Sequence, residues 1–110
     1  MGNTDRPLTD VVARRELGIR DSDQKVIVEL ARPYARPTGE FGCPYRIEYG
    51  QTVIQREIFG EDSFQALQLT LKMISVDLHY AEVLPIGKMY LLEPDLDIGF
   101  PAPEIPAPPR

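Results

Sequence analysis

Few side chains in this sequence have the type and spacing that chemistry needs. His79 is the one histidine and Cys43 the one cysteine. A general base needs a nucleophile or an orienting carboxylate within ~3 Å. Asp77 stands two residues from His79, which puts it on a different side of a helix. A catalytic thiol needs a base beside it and a lowered pKa. Cys43 follows Gly42 at the start of a strand and is expected on that strand's apolar side. The expectation is a surface histidine and a buried structural cysteine. Glu93, Asp95 and Asp97 alternate along an extended segment, but a calcium site takes about six or more oxygens and a glycine-shaped loop, so a solvated acidic stretch is expected. No glycine-rich phosphate loop, HExxH or GxSxG pattern is present. The residues therefore point to no catalytic group, no cofactor and no metal.

Binding is the better prospect. Arg32 and Arg36, each followed by proline, flank Tyr34, and Phe41 follows. Arginine beside aromatics is common in interfaces, so Arg32, Tyr34, Arg36 and Phe41 form a candidate loop for an anion or an acidic partner, with Arg46 nearby. Arg56 is a further candidate, because strand alternation aims it at the apolar face of its sheet.

These groups must be positioned by the elements around them, and one helix dominates. Phe64, Leu67, Leu71, Ile74, Leu78 and Ala81 are spaced 3, 4, 3, 4 and 3 apart. That is the core-facing stripe of an amphipathic helix. Asp62 is a good N-cap with Gln65 three residues on, and Pro85 marks the stop. Ala66, Leu69, Met73, Val76 and Tyr80 make a second apolar stripe, separated from the first by a thin polar strip of Thr70 and Asp77. A helix on one sheet needs one stripe. The second is a candidate interface, for a protein partner or a second copy in a homodimer, unless the chain's own C-terminal segment covers it.

The strands come before the helix. Val11 to Arg20 and Lys25 to Ala31 read as a hairpin, with Val26, Val28 and Leu30 on one face. The segment Arg32 to Gly42 carries two prolines and two glycines and cannot be a central strand. Cys43 to Phe59 reads as a second hairpin about a Gly50-Gln51 type II′ turn, which sets Tyr49 opposite Thr52, Ile47 opposite Ile54, Tyr45 opposite Arg56 and Cys43 opposite Ile58. A slip by one residue would bury Glu48 and Glu57. The expected fold class is α+β: a four-stranded antiparallel meander (ββββα), with one long helix on its apolar face. Lys88 to Leu92 offers a possible short fifth strand after the helix. The expected organisation is a flexible leader at 1–10, a single domain at 11–92, and an acidic then proline-rich extended tail at 93–110. Five of the eleven prolines lie in the last ten residues.

Composition bounds the rest. The chain has 110 residues and a net charge of -5, all of it from residues 61–110. Residues 1–60 carry nine acids and nine bases. Nucleic-acid binding asks for a basic excess and is not expected. No apolar run approaches the ~20 residues of a membrane span, and no secretion signal opens the chain. One cysteine excludes an intramolecular disulfide. A cytoplasmic protein of bacterial type is the simplest expectation.

The stretches KVIVELARP and CPYRIEYG, and a strand ending in Phe59-Gly60 followed by an acidic helix start with Phe64 and Leu67, carry a resemblance. They resemble a family of small bacterial proteins catalogued only as a domain of unknown function, over about residues 12–92. The helix-start feature is shared with immunity proteins of toxin systems. The resemblance implies the fold and a bacterial origin and assigns no activity to any residue. The function expected is a non-enzymatic protein–protein interaction module, immunity-like or an adaptor. The alternative is a small enzyme or ligand-binding domain that holds an anionic molecule through Arg32, Arg36 or Arg56.

Overall fold

In the computed structural model, residues 8–83, 89–90 and 98–100 are described. The elements are β1 (Val11–Ile19), β2 (Lys25–Ala31), β3 (Tyr34–Ala35), β4 (Phe41–Tyr49), β5 (Thr52–Gly60), α1 (Ser63–Val83) and β6 (Met89–Tyr90). All pairings are antiparallel. Reading across, β5 pairs β4, β4 pairs β2, β2 pairs β1 and β1 pairs β6, while β3 continues along the β2 side of β4. The fold is α+β: one antiparallel sheet with one long helix packed on it, chiefly over β4 and β5.

The alternation along each strand decides which side faces the helix. Leu17 and Ile19 of β1, Val26 and Val28 of β2, and Tyr45 and Ile47 of β4 are buried together with Ile74 and Leu78 of α1 and Met89 of β6. The β4–β5 register sets Tyr49 opposite Thr52, Ile47 opposite Ile54, Tyr45 opposite Arg56 and Cys43 opposite Ile58, as the period-2 pattern predicts. Gly50 turns the chain with φ of 56° and Gln51 keeps a negative φ, the conformation of a type II′ turn. The strands run slightly longer than the sequence suggests. β4 begins at Phe41 rather than Cys43, and β5 ends at Gly60 rather than Phe59. The proline-bearing connection supplies only the two-residue strand β3, paired to Phe41 and Gly42.

The start of α1 follows from its cap. Asp62 Oδ1 accepts from the Gln65 amide at 2.7 Å, and Gln65 Oε1 accepts from the Glu61 amide at 2.6 Å. This is a capping box whose return bond reaches one residue further back than usual. The helix runs two residues past the expected end at Ala81.

The burial along α1 corrects part of the sequence reading. The strip holding Thr70 and Asp77, expected to be a polar margin, is buried against the sheet. The first stripe still faces the core through the buried Ile74 and Leu78, with Leu67 and Leu71 half-buried, and the second stripe forms a shoulder on the other side of the strip. Phe64, expected in the core stripe, is 77% exposed, because the first turn stands beyond the end of β5. Ala66, expected in the second stripe, is fully buried. The reason is a backbone contact. A Cβ built on Gly60 would lie 2.4 Å from the Ala66 amide nitrogen and 2.9 Å from its Cα. Only glycine lets the first turn of α1 come this close to the end of β5.

The tail expected from residue 93 onward lies largely outside the described residues, as does the leader through residue 7. Ile98 and Phe100, however, pack against the core, and Arg15 Nη1 donates to the Ile98 and Gly99 carbonyls at 3.3 and 2.9 Å. These three residues belong to the folded unit.

Gly60→Ala is expected to destabilise the chain by about 2–3 kcal/mol, the cost of overpacking a close contact. Urea unfolding followed by circular dichroism measures it, and a variant as stable as the parent would show that α1 does not rest on Gly60.

Candidate functional site

Three groupings of polar side chains emerge, and the most buried lies where α1 crosses β4 and β5. Tyr45 and Arg56 are cross-strand neighbours on the helix-facing side. Asp77 comes down between them. The Tyr45 hydroxyl donates to Asp77 Oδ2, Arg56 Nε donates to the same oxygen at 3.2 Å, and Arg56 Nη2 donates to Oδ1 at 3.4 Å. Tyr45 is fully buried and Asp77 nearly so, while the Arg56 side chain is half-exposed. Burial pushes the Tyr45 phenol well above its usual range, and its bond to Asp77 adds to this. The carboxylate of Asp77 raises the pKa of Arg56. Sequence reasoning missed this group, although its signals were present. An acid on the thin strip between two apolar stripes and an arginine aimed at an apolar sheet face have opposite charge, and opposite charges in a core must pair.

The second grouping lies on the outer face, on the loop-side end of β4. The Tyr34 hydroxyl donates to Glu57 Oε2. That bond crosses above Gly42, where a Cβ would fall 2.5 Å from the Glu57 oxygen and 3.1 Å from the Tyr34 ring. Glu57 raises the pKa of Tyr34 through this hydrogen bond. The Arg36 guanidinium stacks 4.5 Å from the centre of the Phe59 ring and pairs with Glu40 at 3.1 Å. Arg32 lies apart, paired with Asp10 at 3.3 Å. Phe41 is half-buried, opposite Gly60 and Ala35. The structure thus brings Tyr34 and Arg36 onto one surface and separates Arg32 from them. Arg32, Arg36 and Arg56 each already meet a carboxylate within the chain, so an anion would have to compete with it.

The third grouping is the shoulder of α1 on the β5 side. Met73 and Val76 are half-buried, Leu69 is 38% exposed and Tyr80 is 54% exposed. Ala66, packed on Gly60, is not part of any accessible surface. Beside this shoulder runs β5, nine residues long, which has β4 as its one neighbour among the described residues. Its register with β4 is continuous, without a bulge. It contains no proline and no lysine, two devices that blunt a sheet edge, and its charged residues Arg56 and Glu57 are each bonded within the chain.

The remaining candidates are quiet. Cys43 is buried, with its thiol 3.6 Å from the Ala31 carbonyl. Burial pushes its pKa up, and the neighbouring Thr70 hydroxyl offsets this only in part, which is opposite to what a nucleophile needs. His79 is exposed and meets only the edge of the Tyr80 ring, at 5.7 Å. Among the described residues no three His, Cys, Asp or Glu side chains gather as metal ligands. Glu93, Asp95 and Asp97 lie outside the described residues. No described helix is long and apolar enough to cross a membrane.

Residues 13–102 match the family described as Domain of unknown function (DUF6968). The chain belongs to the DUF6968 family. Comparison with curated proteins and with solved structures finds no match. The DUF6968 match spans the sheet from Ala13 of β1 onward, α1 and residues 98–100, so all three groupings fall within it.

Asp77→Ala in this DUF6968 chain is expected to cost about 2–3 kcal/mol, because it leaves the buried Tyr45 hydroxyl without an acceptor. Tyr45→Phe should cost only about 1 kcal/mol, since Asp77 keeps Arg56. Equal losses in chemical denaturation would show that Asp77 does not organise the pair. The phenol gives a pH dependence with a definite sign. Above the ordinary tyrosine value of 10.0, the unfolded chain releases this proton while the folded chain keeps it. Stability contributed by Tyr45 is therefore complete below pH 10 and falls as pH rises beyond it, by about 1.4 kcal/mol per unit. Melting temperatures between pH 8 and 11 should drop more steeply for the parent than for Tyr45→Phe.

Proposed function

We propose that the chain is a non-enzymatic protein-binding module whose contact surface is the β5 edge together with the α1 shoulder of Leu69, Met73, Val76 and Tyr80. The observation that carries this reading is the nine-residue edge of β5, which pairs only with β4 among the described residues. An open strand edge is a template for another strand, and recognition by strand addition gains affinity from main-chain bonds and specificity from flanking side chains. The charges of β5 do not oppose it, because Arg56 is held by Asp77 and Glu57 by Tyr34.

A second copy of this chain supplies a suitable strand. Antiparallel pairing of β5 with itself about Arg56 sets Ile54 opposite Ile58 on the helix side and Val53 opposite Phe59 on the outer side. It also sets Gln55 opposite Glu57 as donor and acceptor. Arg56 then meets its copy on the axis, each neutralised by its own Asp77. The same two-fold axis brings the two α1 shoulders toward each other. An adaptor or immunity-like role in a bacterial cytoplasm suits a small chain whose main asset is such a surface.

Sedimentation velocity over a wide concentration range tests the reading. A dimer is expected for the parent. Leu69→Lys combined with Tyr80→Lys, both at exposed positions, should give a folded monomer. A parent that stays monomeric to about millimolar concentration, well above the micromolar range of most specific complexes, would overturn the proposed dimer.

A further inference from the structure

The opposite side of α1 carries a separate site. Because the helix lies chiefly over β4 and β5, part of the inner face of β1 and β2 is left uncovered among the described residues. Ala13, Val28, Leu30, Leu71, Ile74 and Phe100 enclose a cleft of about 310 Å³ there, open to solvent on one side. That volume is at the lower end of the ~300–1,000 Å³ typical of small-molecule sites, which are apolar with a few placed polar groups.

Two arginines also line the cleft, Arg14, which is paired with Glu16 and Glu29, and Arg15. Arg15 Nη1 donates to the carbonyls of Ile98 and Gly99, and its guanidinium lies 4.8 Å from the centre of the Phe100 ring. These contacts engage Nη1 and one face of the plane. Among the described residues Arg15 has no carboxylate partner, and its Nε and Nη2 donors have no acceptor. This contrasts with Arg14, Arg32, Arg36, Arg46 and Arg56, each of which meets a carboxylate within 4.0 Å. A guanidinium fork fits a carboxylate with two parallel bonds, and the fit is strongest beside apolar walls that exclude water. Arg15 is held in place by the two carbonyls and the Phe100 ring, so little side-chain freedom is lost on binding.

We infer that this cleft binds a small carboxylic acid with an apolar body, such as a medium-chain acyl or aryl acid. The carboxylate sits on the Nε and Nη2 edge of Arg15, and the apolar body lies along Val28, Leu30, Leu71 and Ile74. The site is independent of the β5 edge, so a monomeric chain would leave the inference standing.

Titration of the full chain with sodium octanoate, and separately with 1-octanol, tests it by calorimetry and by the methyl resonances of Leu71 and Ile74. Octanoate is expected to shift those methyls and to bind at least about tenfold tighter than 1-octanol, the difference a charged hydrogen-bonded contact makes. Arg15→Gln should remove that difference, and Arg15→Lys, which keeps the charge without the fork, should fall between. Ala13→Phe, which fills the cleft from an exposed strand position, should abolish binding of both while the far-ultraviolet spectrum is unchanged. Equal affinity for acid and alcohol in the parent, octanoate binding that survives Ala13→Phe, or no methyl shift at millimolar octanoate would each overturn the inference.

Discussion

Asp77 faces the sheet, and most of the arrangement depends on that. A carboxylate taken out of water must be met by donors, or its burial costs several kcal/mol. Tyr45 and Arg56 meet it from adjacent strands. They can do so from one register of β4 and β5 and one rotation of α1. Hydrophobic contact alone would let a helix with two apolar stripes settle on either of them. The buried polar contact fixes a rotation in which Ile74 and Leu78 of the first stripe stay in the core and the second stripe is left as a flank. Leu71 and Ile74 also wall a cleft with β1 and β2. The flank stands beside the edge of β5.

Much of the fold could be read from the residues, and the parts that could not share one cause. The β4–β5 register followed from alternation about Gly50-Gln51, since a slip would have exchanged Ile47 and Ile54 for Glu48 and Glu57. The cap of α1 followed from Asp62 and Gln65. The burial of the strip beside the first stripe of α1 did not, because periodicity locates apolar stripes and treats polar positions as solvent-facing. Asp77 and Thr70 break that assumption, each satisfied by a bond that sequence spacing does not display. Thr70 donates to the Ala66 carbonyl one turn back at 2.7 Å. The Arg15 contact was likewise illegible. It joins positions 84 residues apart, and nothing local marks either end. Spacing groups Arg32, Tyr34, Arg36 and Phe41 as one loop, but the partners of Tyr34 and Arg36, Glu57 and Phe59, come from β5.

The charge balance of the first 60 residues has a structural counterpart on the outer face. Arg14 sits 4.0 Å from Glu29 and 3.5 Å from Glu16, and Arg46 sits 3.1 Å from Glu48. Arg46 is nearly buried there, and its Nη1 also bonds Gln55 across the strands at 2.9 Å. The exposed pairs of Arg14 contribute little singly. Together with the contacts of Arg46 they make the outer face self-satisfied, which fits an antiparallel sheet wet on one side. The β5 edge, the α1 shoulder and the cleft at Arg15 differ from that face in character.

The contact between Arg15 and residues 98–99 also bears on how the chain assembles. The β1–β2 and β4–β5 hairpins and the helix that follows them form from near neighbours in sequence, so their closure entropy is small. The Arg15 clasp and the β1–β6 pairing instead tie the first strand to the last described residues. They become favourable only once the sheet exists, so they are expected to form late in folding. A cleft walled by such a clasp is completed after the rest of the domain and is among the first parts to open when it breathes.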